Sequence, residues 1–358
     1  MNKILFGGSF DPIHNGHLYM ALEASKMFNA EVIFIPSPIG IWKNESIDIN
    51  HKINMISLAI KDYKEFSMDL FEVHTGVDYN YSIETVKYFK KLYKNDNLFY
   101  LIGGDQVNKF HLWKGAEEIA NLVQLIYYPR PNIVVNQKNV DKFKMIKIDG
   151  VENDAASIDI RGLRNLNMPF SVLKYISDNN LYYIKKISSY IDQKRLLHSI
   201  STAEVCYKIA EKHPEIDKYK AYLAGLMHDI GKKMGSDIDN MKKFCPEYAD
   251  APRFAYHQFL GAYIAKEEFG IEDEEILNAI RFHTTGNDHM SKFDMVLWAS
   301  DKIEPTRGYD SSTLMECMLN KPIEEGFKDV LKADKIYLET KGCRIDDALT
   351  SKCFKKYL

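Results

Sequence analysis

Long apolar runs are missing from this chain. No stretch of its 358 residues approaches the roughly 20 apolar positions that a membrane-crossing helix requires, so no membrane partner is expected. The opening segment, Ile4-Leu5-Phe6 before Gly7-Gly8, is too short for a secretory leader. Cysteine is scarce, with five residues and no C-x-x-C pair. That excludes a zinc ribbon and fits reduced thiols, hence a cytoplasmic location. A charge excess is missing too: 47 basic side chains stand against 50 acidic ones, net -3. The balance gives no overall electrostatic case for a nucleic-acid partner. Neither a fixed-period repeat nor a low-complexity tract is present.

What remains is an ordinary globular composition, 46% hydrophobic and 27% charged, in a length that suits two domains. The first half alternates. Ile4–Phe6, Val32–Ile35, Leu98–Ile102 and Leu122–Tyr127 are short apolar runs of the kind that form buried parallel strands. Helix-like stretches lie between them, one with Leu18, Ala21 and Leu22, another opening at Ser82. This predicts an α/β Rossmann-like domain, a parallel sheet with helices on both faces. Helical periodicity takes over near Tyr190 and strand signals stop, which predicts an all-α second domain. The two are divided as residues 1–187 and 188–358.

The first strand runs directly into Gly7-Gly8-Ser9-Phe10-Asp11-Pro12-Ile13-His14-Asn15-Gly16-His17. Glycines here let backbone N–H groups approach a phosphate, and the N-terminus of the next helix adds a partial positive charge. The string resembles the HxGH signature of the nucleotidylyltransferase superfamily, in the form found in bacterial nicotinate-nucleotide adenylyltransferases. Tyr81-Ser82-Ile83-Glu84-Thr85, Gly103-Gly104-Asp105 with Trp113-Lys114, Tyr128-Pro129-Arg130-Pro131, and Ser157-Ile158-Asp159-Ile160-Arg161 are similar to later motifs of that family, in the same order. Two departures stand out: Asp154-Ala155-Ala156-Ser157 keeps one serine of a usual pair, and Lys43 follows Trp42 without the usual PPHK.

The resemblance implies AMP transfer from ATP to nicotinate mononucleotide, giving nicotinate adenine dinucleotide and pyrophosphate. Such a reaction needs alignment and charge stabilisation but no enzymic nucleophile. By the same resemblance His14 and His17 face the ATP phosphates, Arg161 the terminal phosphates, and Ser157 and Lys43 assist. Gly7, Gly8, Ser9, Phe10 and Ile160 surround the nucleotide. Tyr81, Thr85, Gly103, Asp105, Trp113 and Arg130 complete the dinucleotide site, although Trp113 also reads as core and Asp105 as a loop-holding strand end. Mg2+ arrives with ATP.

In the second half the histidines carry the signal, since six of the eleven fall between His198 and His289. His198, His228-Asp229, His257, His283 and Asp301 offer imidazole and carboxylate ligands suited to divalent metals. Being adjacent, His228 and Asp229 cannot share a helical face, which suits Asp229 as a bridge. The order H…HD…H…H…D resembles the HD superfamily of metal-dependent phosphohydrolases. His228-Asp229-Ile230-Gly231-Lys232, His283-Thr284-Thr285-Gly286 and Asp301–Arg307 are similar to the branch that splits diadenosine tetraphosphate into two ADP.

That resemblance implies two metals, iron or manganese. His198, His228, Asp229 and Asp301 would hold one, and Asp229, His257 and His283 the other. Asp229 is then catalytic, while Lys232 and Arg307, with Arg281 as a further candidate, contact polyphosphate. The whole reads as a bifunctional enzyme of small-molecule nucleotides. The alternatives are an HD domain that only binds nucleotide and metal to regulate the first domain, or one that hydrolyses another nucleotide phosphate. Association into a homo-oligomer stays open.

Overall fold

A computed structural model describes residues 1–38, 47–76, 80–131, 133–150, 156–235, 237–343, 345 and 347–358. The chain forms two compact units, residues 1–161 with 165–175, and residues 162–164 with 176–358. The changeover therefore falls inside the helix Phe170–Asp178, upstream of the 187/188 division expected from sequence.

The first unit is built on a six-stranded sheet in the order β3-β2-β1-β4-β5-β6. Its strands are β1 (Asn2–Gly8), β2 (Glu31–Pro36), β3 (Phe66–Met68), β4 (Asn97–Gly103), β5 (Gln124–Tyr128) and β6 (Ile146–Lys147). Every neighbouring pair is parallel. β1 and β2 are apolar without alternation because both faces are covered: Ile4, Leu5, Val32, Phe34 and Ile35 all lie in the core. The expected strand from Leu122 starts later, since Leu122 ends the helix Ala116–Leu122. β3 and β6 were not anticipated, being too short to show as runs.

Strand order reverses between β1 and β4, and at such a reversal the carboxyl ends of the strands open a crevice. Gly7-Gly8 end β1 there and Gly103 ends β4. Three helices frame the crevice: α1 (Asn15–Phe28), α2 (Ser82–Leu92) and α3 (Ser157–Arg161). α2 buries Ile83, Val86 and Phe89 in one core cluster with Leu5 and Tyr100.

The second unit is helical among the described residues. Its site rests on α4 (Gln193–Lys212), α5 (Lys218–Met227), α6 (Tyr256–Glu267), α7 (Glu274–Phe282), α8 (Lys292–Ile303) and α9 (Ile323–Thr340). α8 is the central helix, buried continuously from Phe293 to Asp301. On it, Trp298 meets Phe327 of α9 edge to face at 5.3 Å. α4 and α5 touch backbone to backbone at Gly225, where a Cβ would lie 2.7 Å from Ala203 Cα. A side chain there must push the helices apart. Gly225→Ala is accordingly expected to destabilise this unit by about 1–3 kcal/mol. Chemical denaturation followed by circular dichroism measures it, and an unchanged midpoint would show that the contact is not tight.

Candidate active sites

A cavity of about 510 Å³ lies at the carboxyl ends of β1 and β4. The sequence-expected residues Gly7, Gly8, Ser9, Phe10, His17, Tyr81, Gly103, Asp105, Trp113, Arg130 and Ser157 all line it. The turn after β1 is shaped by Phe10, whose φ of 43° is left-handed. α3 reaches back to this turn, with Ser157 Oγ donating to Pro12 O at 3.0 Å and Arg161 Nη1 donating to Asp11 O. Ser9 Oγ and His14 Nδ1 are buried without a hydrogen-bond partner. Buried polar atoms are normally satisfied, so the pair marks a place where ligand oxygens or water fit. Arg130 pairs with Asp105 at 3.2 Å.

Several expected wall residues stand behind the wall instead. His14 is 2% exposed, and its ring stacks on His17 with centroids 3.7 Å apart. Burial, helped by the charge of Arg130, pushes the His14 imidazole down to about 3. The ring is therefore neutral near neutral pH. Thr85 is fully buried, and its hydroxyl donates to Glu72 Oε1 at 2.6 Å. Ile160 is core. Arg161 spends one donor on the Asp11 carbonyl and is absent from the described lining. Lys43 lies outside the described residues. Trp113 is half-buried against Phe110 and Tyr100 and still lines the cavity, so its two readings coexist. Glu72 was not anticipated. Its buried carboxyl lines the cavity, takes a second hydrogen bond from Ser37, and is raised by desolvation.

In the second unit the six expected ligand residues converge. They form three overlapping groups, His198–His228–Asp229, His228–His283–Asp301 and Asp229–His257–His283, each with ligand atoms within 4.8 Å of one another. His198 comes from α4, His228 caps α5 and precedes Asp229, His257 lies in the first turn of α6, His283 caps α7, and Asp301 lies on α8. Asp229 sits between the imidazoles. Its Oδ1 is 3.5 Å from Nε2 of both His257 and His283, and its Oδ2 is 3.6 Å from His228 Nε2 and 3.8 Å from His198 Nε2. Asp301 Oδ1 is 3.1 Å from His198 Nε2 and 3.6 Å from His228 Nε2. Gly231 lets the next loop close on α6, since a Cβ there would lie 2.3 Å from His257 O and 2.5 Å from Gly261 N.

The donor set tests whether cations fit. His228 Nδ1 donates to Gly225 O at 2.7 Å and His283 Nδ1 to Ile280 O at 2.8 Å. Carbonyls only accept, so both Nε2 lone pairs point inward. His198 Nδ1 is held by Glu304 Oε1 at 2.8 Å. Nε2 atoms of His198 and His228 are 3.2 Å apart, as are those of His257 and His283. Lone pairs and carboxylate oxygens thus crowd one buried space, an arrangement that divalent cations satisfy. The charges agree. Burial would raise Asp229, but the imidazoles and Lys232 hold it well below the usual range. Burial would lower His198, but hydrogen bonds to Asp301 and Glu304 lift it to about 9. His283 is pressed by burial down to about 4.

Of the polyphosphate candidates, Lys232 Nζ is 2.9 Å from His257 Nε2, and Arg307 grips Asp301. Arg281 instead faces Glu274 on its own helix, so the structure does not bring it to this cluster. Glu304 and Arg195 were missed. Glu304 sits one turn beyond Asp301, and Arg195 one turn before His198; those spacings were the available signals.

Comparison with known proteins accords with both units. Residues 5–163 match the cytidylyltransferase-like family model and residues 195–309 the HD domain model. A Mycoplasma genitalium protein named probable nicotinate-nucleotide adenylyltransferase/Ap4A hydrolase is 33% identical over 309 residues, covering 85% of this chain and 87% of that protein. The chain belongs to that family. A probable nicotinate-nucleotide adenylyltransferase from Borreliella afzelii is 35% identical over 198 residues, covering 52% of this chain and all of its own length. A Clostridium acetobutylicum structure, described as a predicted HD superfamily hydrolase involved in NAD metabolism, covers 52% of this chain and 96% of its own, at 24% identity and TM-score 0.43.

For this family member two expectations follow. Glu304→Ala frees the His198 ring, so metal affinity should fall about 10–100-fold. Titration with Mn2+ reads this directly, and undiminished binding would show that Glu304 does not orient the ligand. His14 takes up its proton at about 3 when folded but near 6.5 when unfolded. Between those values the unfolded state binds more protons, so stability contributed at His14 is lost as pH falls, by about 1 kcal/mol per unit. His14→Asn should flatten the pH dependence of stability in this window, and parallel curves would contradict it.

Proposed function

We propose that the chain is a bifunctional enzyme. Residues 1–187 transfer AMP from ATP to nicotinate mononucleotide, producing nicotinate adenine dinucleotide and pyrophosphate. Residues 188–358 hydrolyse diadenosine tetraphosphate to two ADP. The observation that carries this reading is the likeness, over 85% of this chain, to a relative named for both activities, in a chain where each half gathers groups suited to phosphate chemistry.

In the transferase half, the phosphate of the mononucleotide attacks the α-phosphorus of ATP and pyrophosphate departs. Backbone N–H groups of the Gly7-Gly8-Ser9 turn and the start of α1 receive the ATP phosphates. His14 and His17 donate to the oxygens that gain charge. Arg161 and Ser157 brace the same turn through its carbonyls, with Arg161's remaining N–H groups left for the terminal phosphates. Lys43, outside the described residues, is assigned to the triphosphate as well. Tyr81, Asp105, Trp113 and Arg130 hold the ribose and ring of the mononucleotide. Mg2+ comes with ATP.

In the hydrolase half, His198, His228, Asp229 and Asp301 would hold one divalent cation, and Asp229, His257 and His283 a second. Iron and manganese suit this nitrogen and oxygen set. Bound there, the pair supplies an acidified water and a clamp on phosphate oxygens. Asp229 holds the two positions together, Glu304 fixes the His198 ring, and Lys232 and Arg307 draw the polyphosphate. No helix among the described residues is long and apolar enough to cross a membrane, and we place the enzyme in the cytoplasm, acting on small nucleotides.

Purified protein given ATP, Mg2+ and nicotinate mononucleotide should yield the dinucleotide with pyrophosphate. Given Mn2+ or Fe2+ and diadenosine tetraphosphate, it should yield ADP alone. Asp229→Ala should abolish hydrolysis and keep transfer. Absence of dinucleotide, or AMP and ATP in place of ADP, would defeat the corresponding half of the proposal.

A further inference from the structure

Arg195 belongs to none of the motifs read from the sequence, yet it enters the hydrolase site. It is the third residue of α4, one turn ahead of His198, so the two side chains share a helical face. Its Nη1 lies 2.7 Å from Asp229 Oδ2; its side chain keeps 39% exposure against 2% for Asp229. The exposed part lines a second cavity, of about 870 Å³, together with His198, Lys302, Arg307, Tyr309 and Tyr337. Lys302 and Arg307 also lean on a ligand carboxylate: Lys302 Nζ is 2.9 Å from Asp301 Oδ2, and Arg307 Nη2 bonds Asp301 Oδ1. Every basic group this cavity shares with the metal cluster is thus occupied by a carboxylate that the metal reading assigns to cations.

We propose that Arg195 is a phosphate ligand of the hydrolase site whose availability is set by metal loading. This rests on the hydrolase reading above. The Asp229 carboxylate holds the guanidinium through Oδ2, an oxygen that a divalent cation would compete for. Divalent cations on Asp229 withdraw the negative charge that Arg195 was pairing with. The guanidinium then turns to phosphate oxygens, which its planar fork fits in pairs. No covalent bond changes; one ion pair is exchanged for another. The order of assembly follows, metals first and dinucleoside polyphosphate second. The polyphosphate enters from the side of the cluster that carries His198 and Asp301, where Arg195, Lys302 and Arg307 stand together. Tyr309 and Tyr337 line the same cavity and would border a base.

The proposal separates Arg195 from a residue that merely braces the site, because metal and nucleotide affinity must move in different directions. The test uses the full chain with Arg195→Met and Arg195→Lys. Mn2+ binding is titrated by the paramagnetic resonance signal of the free ion. ADP binding to the Mn2+-loaded protein is measured by calorimetry, and KM for diadenosine tetraphosphate by product analysis. Arg195→Met should bind Mn2+ at least as tightly as wild type, since a competing cation has left Asp229. Its ADP affinity should fall and its KM should rise, each roughly tenfold or more, and Arg195→Lys should recover part of both. If Mn2+ binding weakens in step with turnover, Arg195 is a scaffold residue and the proposal is overturned. Unchanged ADP affinity in Arg195→Met overturns it as well. A wild-type protein that takes up two Mn2+ but leaves diadenosine tetraphosphate intact fails the hydrolase reading instead, and the Mn2+ and ADP titrations still decide the role of Arg195.

Discussion

The carboxylate of Asp229, held between two pairs of inward-facing imidazole nitrogens, is the constraint on which the second unit depends. Burying an ion acceptor among other acceptors is unfavourable unless a cation compensates. The helices cannot relieve the crowding by drifting apart, because α4 and α5 are in backbone contact at Gly225 and α8 is buried along most of its length. The fold therefore holds an electrostatic demand in place, and that demand is what gives the cluster its appetite for divalent metal. The basic side chains around it neutralise part of the charge from outside, and Lys232 also reaches His257 Nε2.

On the proposed reading, the first unit meets phosphate charge by other means. Its turn after β1 supplies backbone donors and neutral imidazole, with His14 too buried to be charged near neutral pH. Positive charge enters from the periphery, through Arg130 paired to Asp105 and through Arg161 anchored on the turn itself. A transfer between two phosphorylated nucleotides needs alignment more than a reactive side chain. A cavity whose walls are tied down by hydrogen bonds, such as Ser37 and Thr85 both bonded to Glu72, supplies that alignment.

Much of this was legible in the sequence, for identifiable reasons. β1, β2, β4 and β5 announce themselves because strands covered on both faces must be continuously apolar. β3 and β6, of three and two residues, carry no such pattern; they exist because neighbouring strands offer them an edge. The metal ligands stood out because histidine is infrequent and their order is distinctive. Glu304, Arg195 and Glu72 did not, since acidic and basic residues are common and only the folded chain shows which of them face a site. The carbonyls of Gly225 and Ile280, which set the His228 and His283 rings, have no sequence signature at all. Thr85 and Ile160 show the converse: a motif points to the right neighbourhood without telling the wall from what supports it.

The loop at Gly231 presses main chain against main chain where Asp229 approaches α6. The distance between Asp229 and His257 is consequently a dimension of the polypeptide backbone and owes little to any packing side chain. Ordinary drift in the apolar interior can then make the helices more or less durable while the spacing of these two ligand residues stays the same. An enzyme so built can vary in robustness across its relatives and still perform one and the same reaction.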